Sequence, residues 1–436
     1  MYKFTYGVVL LAALGFNLTA HARDEAQTTK ANVQWTWPCT PPTKAPAPTA
    51  SQQDFDSYSW QLFVALNWPA ESGQRGQANC AQPIGAKGPV VWQTYKTAEQ
   101  IFLPDAKNPG AWNAGEVDTS LSTINVSVLK NTGIVNMVDQ AVGGWLIDQR
   151  GNPTYYAIYA NKTSYEYIVN NNFYNADIVG KANNINFPDN ATEIKASWRM
   201  LTKDDDASRY LTMPAQVDIF DAQGQPTGKT QAATLGLVGL HIATKATGYP
   251  QWIWSTFEQV DNVPPKENVD GKWVDKPVDG VFYSYFNSKA SPGDINHSAC
   301  LWQQQENQLV CVPKPGMTFS TPNPLNRVTP IAADTQKAND VAQKNLAQTV
   351  FQYYQLVTTQ RPLMPDNPSN PLGQPTPAIS ANVTMESYIQ PNSSCMNCHS
   401  MATPVNSAYR SDFSYLFKFA QTPTAATKKP ATATKK

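Results

Sequence analysis

Near its C-terminus the chain reads Cys395-Met396-Asn397-Cys398-His399. Two thiols two residues apart, followed at once by an imidazole, form the attachment signature of a c-type haem. The spacing has a physical reason. The thiols must add to two vinyl groups on one edge of a porphyrin, and two intervening residues in a helical turn set the sulfurs at that separation. The imidazole then lies under the ring and coordinates iron from the proximal side. Competing chemistries are an ordinary disulfide, a redox dithiol and half of a zinc site. Zinc wants two more soft ligands, and a thioredoxin-like dithiol wants a βαβ context. Neither is visible in the sequence. One motif implies one covalent haem, held by Cys395 and Cys398, with His399 as proximal iron ligand.

The group on the other side of the iron decides between chemistries. A strong sixth ligand suits electron transfer, whereas an open position permits binding of peroxide, NO or O₂. His241 and His297 are the other histidines beyond the N-terminal segment. His241 lies in ATLGLVGLHIATKA, where period 2 predicts one face made of Leu235, Leu237, Gly239 and His241. Gly236 and Gly239 leave room for a flat group or another strand. His241 is therefore both a cofactor-contacting candidate and a candidate distal iron ligand; the bland alternative is a core histidine bonded to a neighbour. His297 sits in the turn-rich SPGDINHSAC and reads as exposed. Met364 and Met385 are further axial candidates, although most buried methionine is packing. Met401 is too close behind His399 to reach the distal side. Trp252, Trp254 and Phe257 read as pocket lining or simple core, and Glu258 and Asp261 as proton donors or solvated strand-end charges.

The N-terminus speaks to compartment. Lys3, the apolar run Phe4 to Phe16 and the small-residue pair around Ala20-His21-Ala22 predict a secretory signal peptide over 1–22. The apolar run is too short for a comfortable membrane span, and no other run approaches the length of one. A periplasmic or secreted protein meets oxidising conditions, so the remaining four cysteines are expected to pair. Cys300 and Cys311 bracket two short strand-like runs around a polar turn. This predicts Cys300–Cys311 and, by remainder, Cys39–Cys80.

The motif resembles that of c-type cytochromes. Its late position differs from the small members, whose motif is N-terminal. The stretch SCMNCHSMA…SDFSYLF is similar to cytochrome P-460 and its β-sheet relatives, in which the motif precedes a short Asp-aromatic C-terminal segment. Those proteins are much shorter. The whole chain more closely resembles large uncharacterised bacterial secreted proteins with one late haem motif. The resemblance implies a redox role and no particular substrate.

The elements that must hold this motif read as mainly β. Hydrophobic residues are 41% of 436 and aromatics 11%, enough for a sizeable core. Charged residues are only 15%, against roughly 25% in an average domain. That excludes a coiled coil, and zero net charge argues against a nucleic-acid partner. Residues 23–50 form a Pro-rich leader, 51–330 a mainly β body, 331–421 a helix plus the C-terminal haem segment, and 422–436 a disordered basic tail. The body is mildly acidic. Phe55, Tyr58, Leu62 and Leu66 predict a helix stopped by Pro69. Gly144 to Tyr159 reads as a hairpin, and Thr163 to Glu166 has capping-box spacing. Strands are expected at Glu193 to Met200, Gln216 to Phe220, Ala233 to Ala243 and Gln251 to Gln259. Asp270-Gly271 marks a hairpin turn, and Val281, Tyr283 and Tyr285 one strand face. Asp204-Asp205-Asp206 reads as an exposed turn. A helix is expected from Asp334, as its cap, to Thr359.

The fold class is thus α+β, mainly antiparallel. The expected function is electron transfer by an exported monohaem protein with a redox partner protein. The alternatives are a five-coordinate haem enzyme acting on peroxide or a nitrogen oxide, and a binding protein in which haem is sensor or staple.

Overall fold

In the computed structural model, residues 37–115, 124–126, 143–305 and 308–424 are described. All of them fall in one compact unit, Trp35–Lys436. The expected signal peptide, the start of the leader and most of the tail lie outside the described residues.

Six α-helices and thirteen strands occur among the described residues. The helices are α1 (Gln52–Leu66), α2 (Ala98–Ile101), α3 (Lys162–Asn170), α4 (Ala176–Val179), α5 (Ala333–Asn345) and α6 (Cys395–His399). The strands are β1 (Lys96–Thr97), β2 (Ile124–Val126), β3 (Thr154–Ala160), β4 (Thr192–Met200), β5 (Thr212–Phe220), β6 (Pro226–Thr244) and β7 (Ile253–Gln259). They continue with β8 (Lys266–Val269), β9 (Lys272–Asp275), β10 (Cys300–Gln305), β11 (Gln308–Pro313), β12 (Tyr354–Pro362) and β13 (Pro375–Thr376).

Nine strands make one sheet in the order β1-β3-β4-β6-β7-β12-β13, with β5 also on β6 and β2 beside β5. Among the described strand pairs only β2–β5 is parallel, so the α+β, mainly antiparallel class stands. Strand β12 pairs with β7, which places a segment beyond residue 331 in the sheet of the body. Helix α1 begins at Ser51, whose side chain and that of Asp54 cap each other's backbone. It buries Phe55, Tyr58, Leu62 and Leu66, as its spacing predicts. Trp60 donates to Asn339 on α5 (3.1 Å), and Asn339 exchanges two hydrogen bonds with the backbone of Leu356 on β12. Both helices are thus fixed to one sheet face.

Both expected disulfides form, Cys39–Cys80 and Cys300–Cys311, with Cα separations of 5.6 and 5.5 Å. The second bridges β10 and β11, which pair across the predicted polar turn. Asp270-Gly271 turns β8 into β9 with positive φ at both residues (50° and 81°).

Several expectations fail for local reasons. The long helix ends at Asn345, Gln348 takes φ 70°, and the rest becomes a 3₁₀ turn and β12. Val357, Thr358 and Thr359 are β-branched and suit a strand. Asp334 does not cap α5; Ala332 holds that position, and Asp334 pairs with Lys337. Helix α3 is capped by Asn161 rather than Thr163. The first arm of the 144–159 hairpin makes a single bridge, Ile147 with Pro153, because the Asp148 side chain takes the turn's N–H groups. Residues 281–285 form no strand: Ser284 and Tyr285 bond singly to the Asp261 and Asn262 carbonyls. Asp204 is exposed, but Asp205 is buried against Arg199.

Candidate functional site

One face of the central sheet builds the floor of the site. Cross-strand register aligns Ile158, Lys195, His241 and Thr256 in one row across β3, β4, β6 and β7. The next row holds Ala160, Glu193, Ala243 and Trp254. Directly paired residues share a face, so both rows point the same way. The expected face of Leu235, Leu237, Gly239 and His241 is corrected here. A bulge at Val238 shifts the register between Ser197↔Gly239 and Trp198↔Leu237. It turns Leu235 and Leu237 to the side of Leu240 and Ile242, away from His241.

The glycines do not make room for a cofactor. A Cβ on Gly239 would collide with the Thr384 and Ser197 hydroxyls, and one on Gly236 would meet Leu201 and Tyr210. Gly239 instead lets the Asn382–Thr384 segment lie across the sheet. There Asn382 donates to Thr256 Oγ1 (3.0 Å) and to the Phe257 carbonyl (2.9 Å). This segment positions Glu386, whose Oε2 accepts from the Asn382 N–H at 2.8 Å.

Helix α6 is the motif itself, in one helical turn as its spacing requires. Ser394 caps it, accepting from Asn397 N. Gln360 on β12 accepts from Met396 N (2.9 Å) and Ser394 Oγ (3.1 Å), and Met396 is buried beneath the turn. Tyr415 donates to the Cys398 carbonyl at 2.9 Å. Cys395 and Cys398 are free thiols, the first half-buried and the second exposed.

The His399 ring packs on Trp254 with centroids 4.4 Å apart, and on Tyr415 at 5.1 Å. Its Nδ1 lies 2.7 Å from the Phe413 carbonyl. A carbonyl can only accept, so Nδ1 carries the proton and Nε2 is the nitrogen with a free lone pair. Phe413 and Asp412 both have positive φ (67° and 53°). That costly pair is held by Asp412, which accepts from Lys245 Nζ (2.6 Å) and Phe187 N (2.7 Å).

Cys395, Cys398, His399, His241, Trp254, Tyr415, Glu386, Lys195 and Glu193 all line one cavity of about 440 Å³. Burial pushes the Cys395 thiol up to about 12 and the His399 imidazole down to about 4, the latter against the Phe413 hydrogen bond. Burial likewise lowers Lys195 to about 8 and raises Glu193 to about 8. For Glu386 burial acts upward, but His241, Asn382 N and Lys195 together hold it below the usual carboxylate range. His241 Nε2 comes within 3.5 Å of Glu386 Oε2 without making a hydrogen bond, and is a buried atom with no such partner.

The structure therefore brings His241 and Trp254 to the motif and leaves the other candidates elsewhere. His297 is exposed, with its ring on the Ile295 carbonyl. Met364 and Met401 are exposed, and Met385 is buried in the core, outside the cavity lining. Trp252 and Phe257 are core, against Phe187 and Phe63. Glu258 and Asp261 are not solvated donors but buried ion-pair partners of Arg327 and Arg209. Glu193, Lys195 and Glu386 escaped sequence reasoning. The first two occupy the polar positions of an alternating strand, a pattern that reads as solvent-facing.

Among the described residues, no group of three or more His, Cys, Asp and Glu is arranged to hold a bare metal ion. No helix among them is long and apolar enough to cross a membrane. Comparison with protein-family models, with curated proteins and with solved structures returns no match.

Proposed function

We propose that the protein is an exported redox protein carrying one covalently attached haem c, which exchanges electrons with a partner protein. The observation that carries this reading is the motif's arrangement: two unpaired thiols and an Nδ1-anchored histidine on one helical turn, opening on one cavity. The cavity volume lies within the roughly 300–1,000 Å³ of small-molecule and cofactor sites. The residues fit the group. Cys395 and Cys398 would hold it through thioether bonds, and His399 would present Nε2 to its iron. Bound there, haem supplies a one-electron couple whose potential is set by axial ligand, hydrogen bonding and burial.

The chain's own part is positional. Phe413 orients His399 and fixes its tautomer, Trp254 supports the ring, and Gln360 and Tyr415 fix the turn that carries the thiols. Two disulfides suit an oxidising compartment, which supports the periplasmic or secreted location expected from the N-terminus.

A second reading, a haem enzyme acting on a small ligand, is favoured by Glu193, Lys195, His241 and Glu386 in the cavity lining. An electron-transfer centre needs no such set, and ionisable groups collected in one cleft mark reactive sites.

The test is an alkaline pyridine haemochrome spectrum of protein made in a host with haem-attachment machinery. The reading predicts the bis-thioether spectrum in wild type and its loss in Cys395→Ser/Cys398→Ser. A wild-type spectrum without haem refutes it.

A further inference from the structure

Resting on that haem reading, we propose that Glu193 is a proton-binding site linked to the haem, its carboxyl taking up a proton when the iron is reduced and releasing it when the iron is oxidised. The electron comes from the partner protein and returns to it, and the proton comes from water and returns there. One proton thus accompanies one electron, and the cavity gains no net charge on reduction.

The fold puts this carboxyl beside the group it would serve. Glu193 stands in the row that runs Lys96, Ala160, Glu193, Ala243 and Trp254 across β1, β3, β4, β6 and β7. Trp254, in the same row, packs on the His399 ring at 4.4 Å. Glu193 also lies by the turn that aims the Phe413 carbonyl at His399, close enough to feel the Ser414 hydroxyl and the Asp412 carboxylate. It lines the same cavity as Cys395, Cys398 and His399.

Among the described residues Glu193 has no cation of its own. Its Oε1 is buried without a hydrogen-bond partner, whereas Asp412 has Lys245, Glu258 has Arg327 and Glu386 has His241. The cations around it are engaged elsewhere. Lys96 donates to the Ala114 carbonyl (2.6 Å). Lys195, two residues along β4, lies over the Tyr156 ring (5.2 Å) and is drawn to Glu386. Lys245 is held by Asp412 and Asn186. His399, lowered by burial to about 4, and Tyr415, raised by burial, are uncharged at neutral pH. An ionised carboxylate in such a place is costly, and a proton relieves it. Burial raises Glu193 to about 8, with the Ser414 hydroxyl opposing the rise and Asp412 adding to it. A change of one charge nearby therefore moves a proton on or off at ordinary pH. The oxidised iron, with its extra positive charge, favours the carboxylate, and reduction favours the acid.

The experiment uses the purified holoprotein, with its midpoint potential read by spectroelectrochemistry at pH values on both sides of about 8. The wild-type potential should fall as pH rises, by up to about 59 mV per pH unit, the tenfold step of a one-electron couple. Glu193→Gln should abolish that fall and hold the potential at its low-pH value, because the neutral amide mimics the protonated acid. Lys195→Met should keep the fall, which separates the carboxyl from the amine beside it. A second readout needs no variant. The reduced-minus-oxidised infrared spectrum of the wild type should gain a protonated-carboxyl band that shifts in heavy water. A wild-type potential independent of pH overturns the proposal. So does a fall that persists in Glu193→Gln, or an infrared spectrum without the carboxyl band. Failure of the haem reading looks different: the denatured chain then retains no haem at all, and the proposal falls with it.

Discussion

The Nδ1 of His399 and the carbonyl oxygen of Phe413 lie 2.7 Å apart, and the turn that aims this carbonyl is held by the Lys245–Asp412 ion pair. Asp412 therefore acts on the site through two intermediaries and touches no reacting atom. A hydrogen bond to a ligating histidine's second nitrogen raises its basicity. Asp412→Asn weakens the anchor of the strained Asp412-Phe413 pair. With haem still attached, the midpoint potential should rise by about 60 mV, a tenfold change for a one-electron couple. Spectroelectrochemistry reads this, and an unchanged potential in a folded, haem-loaded variant removes the positioning role.

Gly239→Ala should cost stability without touching the motif. Its Cβ meets the Thr384 and Ser197 hydroxyls, and the 382–384 segment must lift to admit it. Overpacking of this kind costs about 1–3 kcal/mol. Urea unfolding should show a lower midpoint with an unchanged slope; a wild-type midpoint contradicts the packing described here.

The sequence made the motif, both disulfides, the first helix and four sheet strands legible, because each rests on local spacing or period. It also placed His241 on an apolar strand. It could not show that Glu193 and Lys195 face a cavity, since alternation alone cannot distinguish solvent from a lined pocket. Nor could it show the bulge at Val238, which reverses the face of Leu235 and Leu237. The helix expected as far as Thr359 ends at Asn345. Packing of β12 on β7 outweighed it, and nothing local announces a pairing across about a hundred residues.

The Arg199 cluster gives a pH signature. Arg199 is fully buried between Asp148 and Asp205. Burial acts to raise Asp205, but the Thr202 N–H and Arg199 outweigh it and hold the group below its ordinary value of 3.8. Its folded form binds protons less readily than its unfolded form. Its contribution is therefore full above that value and fades as pH falls through the lower folded one. Asp205→Asn should cost about 3 kcal/mol at pH 7, the scale of a broken buried pair. The gap to wild type should narrow as pH is lowered below about 4. A gap independent of pH in chemical unfolding counts against the ion pair.

The Cys300–Cys311 bridge closes a short loop between paired strands and should contribute about 3 kcal/mol in the chain-entropy estimate. Non-reducing peptide mapping of exported protein should recover the two cysteines linked, with Cys39 linked to Cys80. Recovery of Cys300 and Cys311 as free thiols contradicts the hairpin geometry.

The central claim is that Cys395 and Cys398 carry a covalent haem. Intact-mass measurement of the denatured, exported protein tests it most directly. The account predicts a chain heavier than the mature polypeptide by one haem, with the added mass on the peptide containing Cys395-Met396-Asn397-Cys398-His399. A mass equal to the bare polypeptide, from cells whose other c-type proteins are fully loaded, contradicts it.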